Sequence, residues 1–448
     1  QEAILTNHQF KEYESYIGIG DSTNVYAKVG FNYRDNDSIR SNVFTEINNR
    51  KTYYLDAKII QTERTNLSLF ANYRETENTF LENQKALNSR IIYNQRFFKN
   101  FITLGTRYET SSGNVAQQDF VYLEVEAGQG FYTWIDYNDN GIQEFDEFEI
   151  AEFQDQANFL RVPLPNLQFI ATQSAKINQS ITLNASQWGT KNGLKKVLSH
   201  FYNQFFLSSR NELERTRNSF NLNPFNISKD QQISVNFSIK NSLYFNRGQK
   251  KFSTTYTFAK AENKQQYSIG SQDTDTNYQQ IDFQHKIGKF WLIDLQGKLS
   301  ENKLDTENFN NRNYEINVVA LQPKISYVLN NDNRFSAFYH MKNKENILAE
   351  FEKLKQQKIG VEYFYTGKST SQFNANFTTF FNDFSGNPNS PVGYQMLEGL
   401  QEGTNYTWTF LWSKKLNSFL NVNLNYKGRK SLNSKTIHTG TINLKAVF

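Results

Sequence analysis

Apolar residues recur at every second position along this chain. At its end Ile442, Leu444, Ala446 and Phe448 alternate with Thr441, Asn443 and Lys445; before them Leu420, Val422, Leu424 and Tyr426 alternate with Asn421, Asn423, Asn425 and Lys427. Tyr406, Trp408, Phe410 and Trp412 repeat the pattern. So do Val25, Ala27, Val29, Phe31 and Tyr33, then Leu67, Leu69, Ala71 and Tyr73, and Trp291, Ile293, Leu295 and Leu299. One long stretch keeps phase from Leu167 through Phe169, Ala171, Ile177, Ile181 and Leu183 to Ala185. Successive side chains on a strand point to opposite faces, so each segment predicts a strand with one apolar and one polar face.

About nineteen such segments occur. Strands of a soluble sandwich repeat at about 8–12 residues, a closer spacing than this. Short connectors fall near 18–24, 62–64, 99–100, 246–249, 288–289, 330–333, 366–369 and 415–418, with a somewhat longer one at 188–196. Several are turn-formers, such as Asn246-Arg247-Gly248, Asn330-Asn331-Asp332-Asn333 and Thr366-Gly367-Lys368. Longer polar connectors lie between them, near 35–47, 77–85, 111–165, 212–230, 261–276, 301–312, 343–356, 382–403 and 429–435. Asn346–Gln357 carries Ile347, Leu348, Phe351 and Leu354 at helical spacing, and reads equally as a loop helix or as a strand entry.

Long–short alternation is the loop pattern of a barrel with tight periplasmic turns and large outer loops. In hydrocarbon every backbone polar group must be paired, so only helices and closed barrels cross a membrane. The expectation is an all-β chain, a transmembrane antiparallel up-and-down β-barrel of about 18–20 strands, with residues 1–448 as a single domain in a bacterial outer membrane. Trp291, Tyr365, Tyr406, Trp408 and Trp412 suit interfacial girdles. Strand parity leaves two readings, because such barrels close with an even number. Either residues 1–18 are not a spanning strand, leaving eighteen, or the chain is the C-terminal part of a longer protein. The start at Gln1, without a charged-then-apolar leader, reads as a mature or truncated chain.

Composition narrows the chemistry. The 39 Phe, 25 Tyr and 5 Trp reach 15% of the 448 residues, yet mean hydropathy is −0.69; half of each strand is polar by construction. With no Cys there is no disulfide, thiolate metal site or thiol nucleophile. The net charge of +5 is spread along the chain, which does not suit nucleic acid.

The sharpest motif is Asp136-Tyr-Asn138-Asp-Asn140-Gly141-Ile142-Gln-Glu144-Phe-Asp-Glu147, which fits the twelve-residue calcium loop. Asp136, Asn138 and Asn140 supply side-chain oxygens, Gly141 permits the turn, and Ile142 offers its carbonyl. Glu144 and Glu147 complete the six to eight oxygens that Ca²⁺ takes. A structural Ca²⁺ bracing the outer loop 111–165 is the expectation; a metal-free Asn/Asp/Gly turn and a regulatory metal are the alternatives. Position 7 is apolar and no helical periodicity flanks the site, unlike a helix–loop–helix hand.

His8, His200, His285, His340 and His438 stand isolated in sequence, and no hydrolase or nucleotide motif accompanies them. His340 or His438, near a rim, is the one opening for a hydrolase; a lumen or interface histidine is the plainer reading. The terminal Phe448 looks like the aromatic signal that barrel-insertion machinery reads.

Gly128-Gln-Gly-Phe-Tyr-Thr-Trp134 running into the Asp136 loop, Tyr394-Gln-Met-Leu-Glu-Gly-Leu400, Asn405-Tyr-Thr-Trp408 and Gly428-Arg-Lys430 up to His438-Thr-Gly440 resemble large outer-membrane barrel proteins of Bacteroidota. The resemblance covers about a quarter of the chain and implies location and architecture. It also favours a longer parent chain.

Two functions follow as expectations. The first is a non-enzymatic subunit of a multi-protein envelope assembly, in protein export, surface-protein handling or outer-membrane biogenesis, contacting membrane lipid and barrel, lipoprotein or periplasmic partners. Its motive is the aromatic load of the 111–165 loop (Phe131, Tyr132, Trp134, Phe145, Phe148, Phe153, Phe159), which should pack on something. The second is a porin-like channel or solute transporter.

Overall fold

The computed structural model describes residues 8–21, 24–40, 43–117, 119–165, 168–215, 220–225, 231–249, 251–330, 332–367, 371–417, 419–432 and 434–446. Among them are twenty-three strands. They are β1–β6 (His8–Gly20, Tyr26–Arg40, Val43–Gln61, Thr65–Asn78, Gln84–Phe97, Ile102–Gln117) and β7–β10 (Phe120–Glu124, Tyr132–Trp134, Phe148–Ile150, Phe159–Pro163). Next come β11–β16 (Gln168–Asn184, Phe201–Glu214, Gln232–Phe245, Phe252–Tyr267, Gly270–Ile287, Trp291–Thr306). The last are β17–β23 (Tyr314–Val328, Asn333–Asn346, Lys353–Gly367, Ser371–Ser385, Gly403–Lys415, Leu420–Ser431, Ile437–Ala446). Nineteen form one antiparallel up-and-down sheet, and β7–β10 form a separate four-stranded sheet in the order β7-β10-β8-β9. Alternation of apolar and polar residues, one apolar face left exposed, and neighbour-to-neighbour pairing make this the fold of an outer-membrane β-barrel.

The described chain divides into two compact units. The first holds residues 1–117, 167–241 and 261–266; the second holds 118–166, 242–260 and 267–448. In the first, β1 through β6 pair in sequence and β6 pairs with β11, which pairs with β12. In the second, β15 through β23 pair in sequence, and β7–β10 belong with them.

His8–Gly20 pairs with β2 along its whole length. This stretch therefore belongs to the sheet; residues 1–7 lie outside the described residues. Phe448, Leu167 and Lys368 lie outside the described residues.

Several predicted connectors shrink because strands run on past the length a bilayer requires. A tilted strand crosses in about 9–11 residues, whereas β3 has 19 and β15 has 18. The polar segment at 261–276 is mostly strand, with Ser268 and Ile269 between β14 and β15; 343–356 reduces to 347–352. A ladder is closed by backbone groups, so polar side chains beyond the hydrocarbon do not end it. The strand-entry reading of Asn346–Gln357 is the correct one. Asn346 Nδ2 donates to Glu352 Oε2 at 2.7 Å and its backbone N–H donates to the Glu352 carbonyl at 2.9 Å. That clamp turns the chain within 347–352, where Ala349 and Phe351 take φ of 54° and 56°.

The sheet of the second unit has two unlike faces. Leu295, Leu299, Val319, Leu321, Ile325, Phe335, Ile359, Val361 and Phe377 are exposed on one. Trp291, Tyr327, Phe335 and Tyr363 stand opposite one another across four strands, with ring centroids 5.0 Å apart for Trp291–Tyr327 and 4.5 Å for Phe335–Tyr363. This aromatic row near the tight-turn ends matches the pattern of an interfacial girdle, where amphipathic rings are favoured.

Candidate functional site

The other face of the second unit carries amides, hydroxyls and ammonium groups. A loop folds down onto it. Ser390 caps the helix α1 (Pro391–Leu397) by accepting from Gly393 N–H at 3.0 Å, and Pro391 occupies the first turn, where no N–H is needed. Val392, Met396 and Leu397 pack on Ile316, Val318, Leu354 and Phe384, an apolar island on an otherwise polar face. Leu354 and Met396 are fully buried. The island explains why apolar residues sit on the polar phase of β17, β19 and β20: they are the seat of the helix.

The helix ends with Glu398 in the left-handed region (φ 55°, ψ 44°), followed by Gly399 at φ 67°. This turn aims the Glu398 carboxylate at three lysines. Lys342 Nζ lies 2.7 Å and Lys344 Nζ 2.9 Å from Oε1, and Lys358 Nζ lies 3.3 Å from Oε2. Lys344 Nζ also donates to the carbonyls of Met396 at 2.8 Å and Gln395 at 3.4 Å, where the helix presents unpaired C=O groups. Burial raises the Glu398 carboxyl, but the ammonium groups of Lys344, Lys358 and Lys342 more than offset it and hold the carboxyl well below the usual carboxylate range.

Beside this cluster is a cavity of about 320 Å³ lined by Gln280, Gln296, Lys298, Ser300, Asn302, Gln322, His340, Lys342, Lys344 and Glu398, with Val318 and Ala320 at its floor. Lys298 stands opposite Ala320, and Ala320 opposite Lys342. Two lysine positions thus flank one methyl group, two strands or about 10 Å apart.

The four-stranded sheet β7–β10 holds the candidate calcium loop. Its core is Tyr122 stacked on Phe148 at 3.9 Å, with Phe159 edge-on to Phe148 at 5.1 Å. Asp136 accepts from Asn140 N–H at 3.1 Å through Oδ1 and from Gly141 N–H at 2.7 Å through Oδ2. Asn138 Oδ1 accepts from Asn140 N–H at 3.0 Å, and Asn140 Oδ1 accepts from Ile142 N–H at 2.6 Å. Asn138 Nδ2 donates to Glu144 Oε2 at 2.7 Å. Asp136, Asn138, Asn140, Ile142 and Glu144 are therefore gathered around Gly141 (φ 72°). Glu147 is buried and turned to protein donors, accepting from Trp134 Nε1–H at 2.8 Å and Tyr137 N–H at 3.2 Å.

This small sheet is fastened to the rest of the second unit. The buried Glu149 pairs with Arg312 at 2.9 Å, and Asn311 Nδ2 donates to Asp146 at 2.7 Å. Tyr394 Oη accepts from Glu152 N–H at 3.1 Å, and Arg429 pairs with Asp155 at 2.7 Å while lying 4.0 Å over Phe153. Burial raises the Glu149 carboxyl, and Arg312 offsets only part of that.

His340 and His438 separate: one stands mid-strand in β18, the other near the start of β23. His340 lines the cavity beside Lys342. His438 Nδ1 is 2.8 Å from Tyr426 Oη and stacks on that ring beside Trp408. Sequence reasoning missed the lysine cluster. Its signal was present in His340-Met-Lys342-Asn-Lys344 and Lys358, which share the polar phase of adjacent strands, but the partner carboxylate comes from a loop 40 residues beyond Lys358.

No protein-family model matches this chain, and no curated protein matches it. Among solved structures, the loop-deleted OmpT of Vibrio cholerae, an outer membrane protein, is 10% identical over 91% of this chain and 98% of its own, at a TM-score of 0.31. An anion-selective porin from Comamonas acidovorans is 11% identical over 84% and 90%, at 0.28. The FrpB iron transporter from Neisseria meningitidis is 8% identical over 97% and 72%, at 0.38. At these scores the fold assignment rests on the strands described above.

Proposed function

We propose that residues 1–448 form a single outer-membrane barrel acting as a porin-like channel or solute transporter. The polar wall of the second unit carries the reading. Amides, hydroxyls and lysines line a cavity there, and the helix α1 is held against that wall by Glu398 and the apolar island. A closed barrel of about sixteen strands or more leaves an aqueous path, which an inward-folded loop narrows. The reading assigns the chain no catalytic step.

The assembly-subunit reading stands second. Its motive was a loop crowded with aromatics in need of a partner, and most of those rings find one within the protein. Phe148 and Phe159 pack with Tyr122, and Phe153 lies against Arg429. Phe131 and Ile150, exposed on the small sheet, are what supports a docking role. Kinship with Bacteroidota barrels rests on the motifs of 128–147 and 394–440, and belongs to this proposal.

The small sheet is proposed to be extracellular and braced by Ca²⁺. Asp136, Asn138, Asn140, the Ile142 carbonyl, Glu144 and Glu147 are the oxygens the ion would use; the turn that Asp136, Asn138 and Asn140 close on the backbone N–H groups of 140–142 supports the reading.

Reconstitution in planar bilayers tests the channel. Stepwise conductance from the folded chain is expected. A correctly folded barrel that inserts and passes no current would overturn the reading and leave the docking alternative in its place.

A further inference from the structure

We propose that the cavity between Lys298 and Lys342 receives the carboxylate or phosphate of a small anionic solute, and that Glu398 is a built-in stand-in for that group. The inference rests on the channel reading and names the solute class. Three lysines converge on one carboxylate supplied by a loop. Lysine presents a compact point charge suited to an oxyanion. Lys298, on the opposite side of the cavity, takes part in no ion pair among the described residues; its Nζ lies 4.7 Å over the Tyr278 ring.

The amides nearby are already committed in a useful way. Gln280 and Gln296 both donate to Asp282, at 2.8 Å for the closer bond of each, which engages the carboxylate beside the cavity; the next carboxylates on that wall, Asp294 and Glu362, are engaged by Gln284 and Lys324. What remains facing the cavity is a cationic surplus with neutral donors around it. Ala320, the smallest side chain in the Lys298–Ala320–Lys342 row, leaves room between the two lysine positions. An incoming oxyanion can pair with Lys298, or displace Glu398 from Lys342. In the second case the helix α1 loses its polar tether, so occupancy of the site and position of the loop are linked by competition for the same lysines.

Calorimetry on the full chain folded in detergent, with inorganic phosphate and separately with succinate, tests this without a current. Binding of at least one anion is expected, and the one that binds identifies the headgroup chemistry. Lys298→Gln should weaken it about tenfold, and Glu398→Gln should tighten it by a similar factor. A heat-dependent shift in electrophoretic mobility confirms that each variant is folded. Neither anion binding to the folded wild type overturns the site, and weaker binding by Glu398→Gln overturns the stand-in. The same proteins in bilayers separate the two readings. Binding without conductance sinks the channel and keeps the site, whereas conductance with equal K⁺ and Cl⁻ permeability and no binding does the reverse.

Discussion

The indole of Trp408 lies across the backbone of Gly428, its direct partner on the neighbouring strand, so closely that a methyl group on Gly428 would overlap the ring. Phe338 covers Gly360 and Tyr54 covers Gly30 in the same way, each at its registered partner. A glycine in a strand has no side chain to pack and leaves the ladder open, and a cross-strand aromatic closes it while the missing Cβ lets the sheet bend.

Gly360 is the strictest case, since a Cβ there would meet the Phe338 ring on one side and Thr378 Oγ1, 3.0 Å away, on the other. Gly360→Ala is expected to lower stability by about 1–3 kcal/mol through overpacking. In denaturant titrations of the lipid-folded protein, the Phe338→Ala/Gly360→Ala double variant should cost less than the sum of the single changes. Strict additivity would show that the ring and the glycine are independent.

Arg312 and Glu149 form the fastening whose removal should be felt most locally. Glu149 is 1% exposed, and Arg312 also donates to the Phe148 carbonyl at 3.3 Å. Arg312→Met leaves a carboxylate buried without its partner, which costs about 3–5 kcal/mol in comparable cases. Hydrogen exchange should accelerate across 145–150 and 307–313 and stay unchanged in β1–β6. Adding Glu149→Gln to Arg312→Met should recover part of the protection; no recovery would mean that the guanidinium matters for its shape alone.

The period-two pattern made most of the main-sheet strands legible because the bilayer imposes it on each one separately: Leu420, Val422, Leu424 and Tyr426 face apolar surroundings whatever the rest of the chain does. Strand ends were harder. Beyond the hydrocarbon, Asn, Glu and Lys are as acceptable in a ladder as in a loop, so β14 and β15 run almost to their shared turn through residues that read as connector. The candidate site was legible in its parts and hidden in its assembly. Ile316, Val318, Leu354 and Phe384 fall on the wrong phase for a wet wall, and that exception to the alternation marked where a loop would dock. Nothing local in 391–398 says that its carboxylate meets Lys342, Lys344 and Lys358.

The Asp136 loop gives a prediction that bears on metal and fold together. Saturating Ca²⁺ at a hundred times Kd should stabilise the loop by about 2.7 kcal/mol if the ion binds the folded form alone, read as slower hydrogen exchange through 136–147. Asp136→Ala should abolish the calorimetric heat, because Asp136 both would ligate the ion and orders the Asn140 and Gly141 amides. Identical titrations for wild type and Glu147→Gln would remove Glu147 from the ligand set.

Glu398 supplies the pH dependence. Its folded-state carboxyl is held below the usual carboxylate range, so the ionised form is the one that stabilises the docked helix. The contribution is complete above the range in which an unfolded glutamate titrates, and is lost as pH falls from that range toward the folded value. Lys342, Lys344 and Lys358 from the strands face the carboxylate, with His340 beside them and Glu152 of the small sheet near Lys344. Acidification from pH 7 to pH 3 should therefore expose 386–402 to protease while the sheet stays folded, and the onset should lie near the unfolded glutamate's titration. Glu398→Gln should show the exposed loop already at pH 7, with little further change on acidification. If the variant instead keeps the wild-type pH profile, a different carboxylate governs the loop; Glu152 and Asp155, which lie where the small sheet meets α1 and β22, are then the groups to replace next.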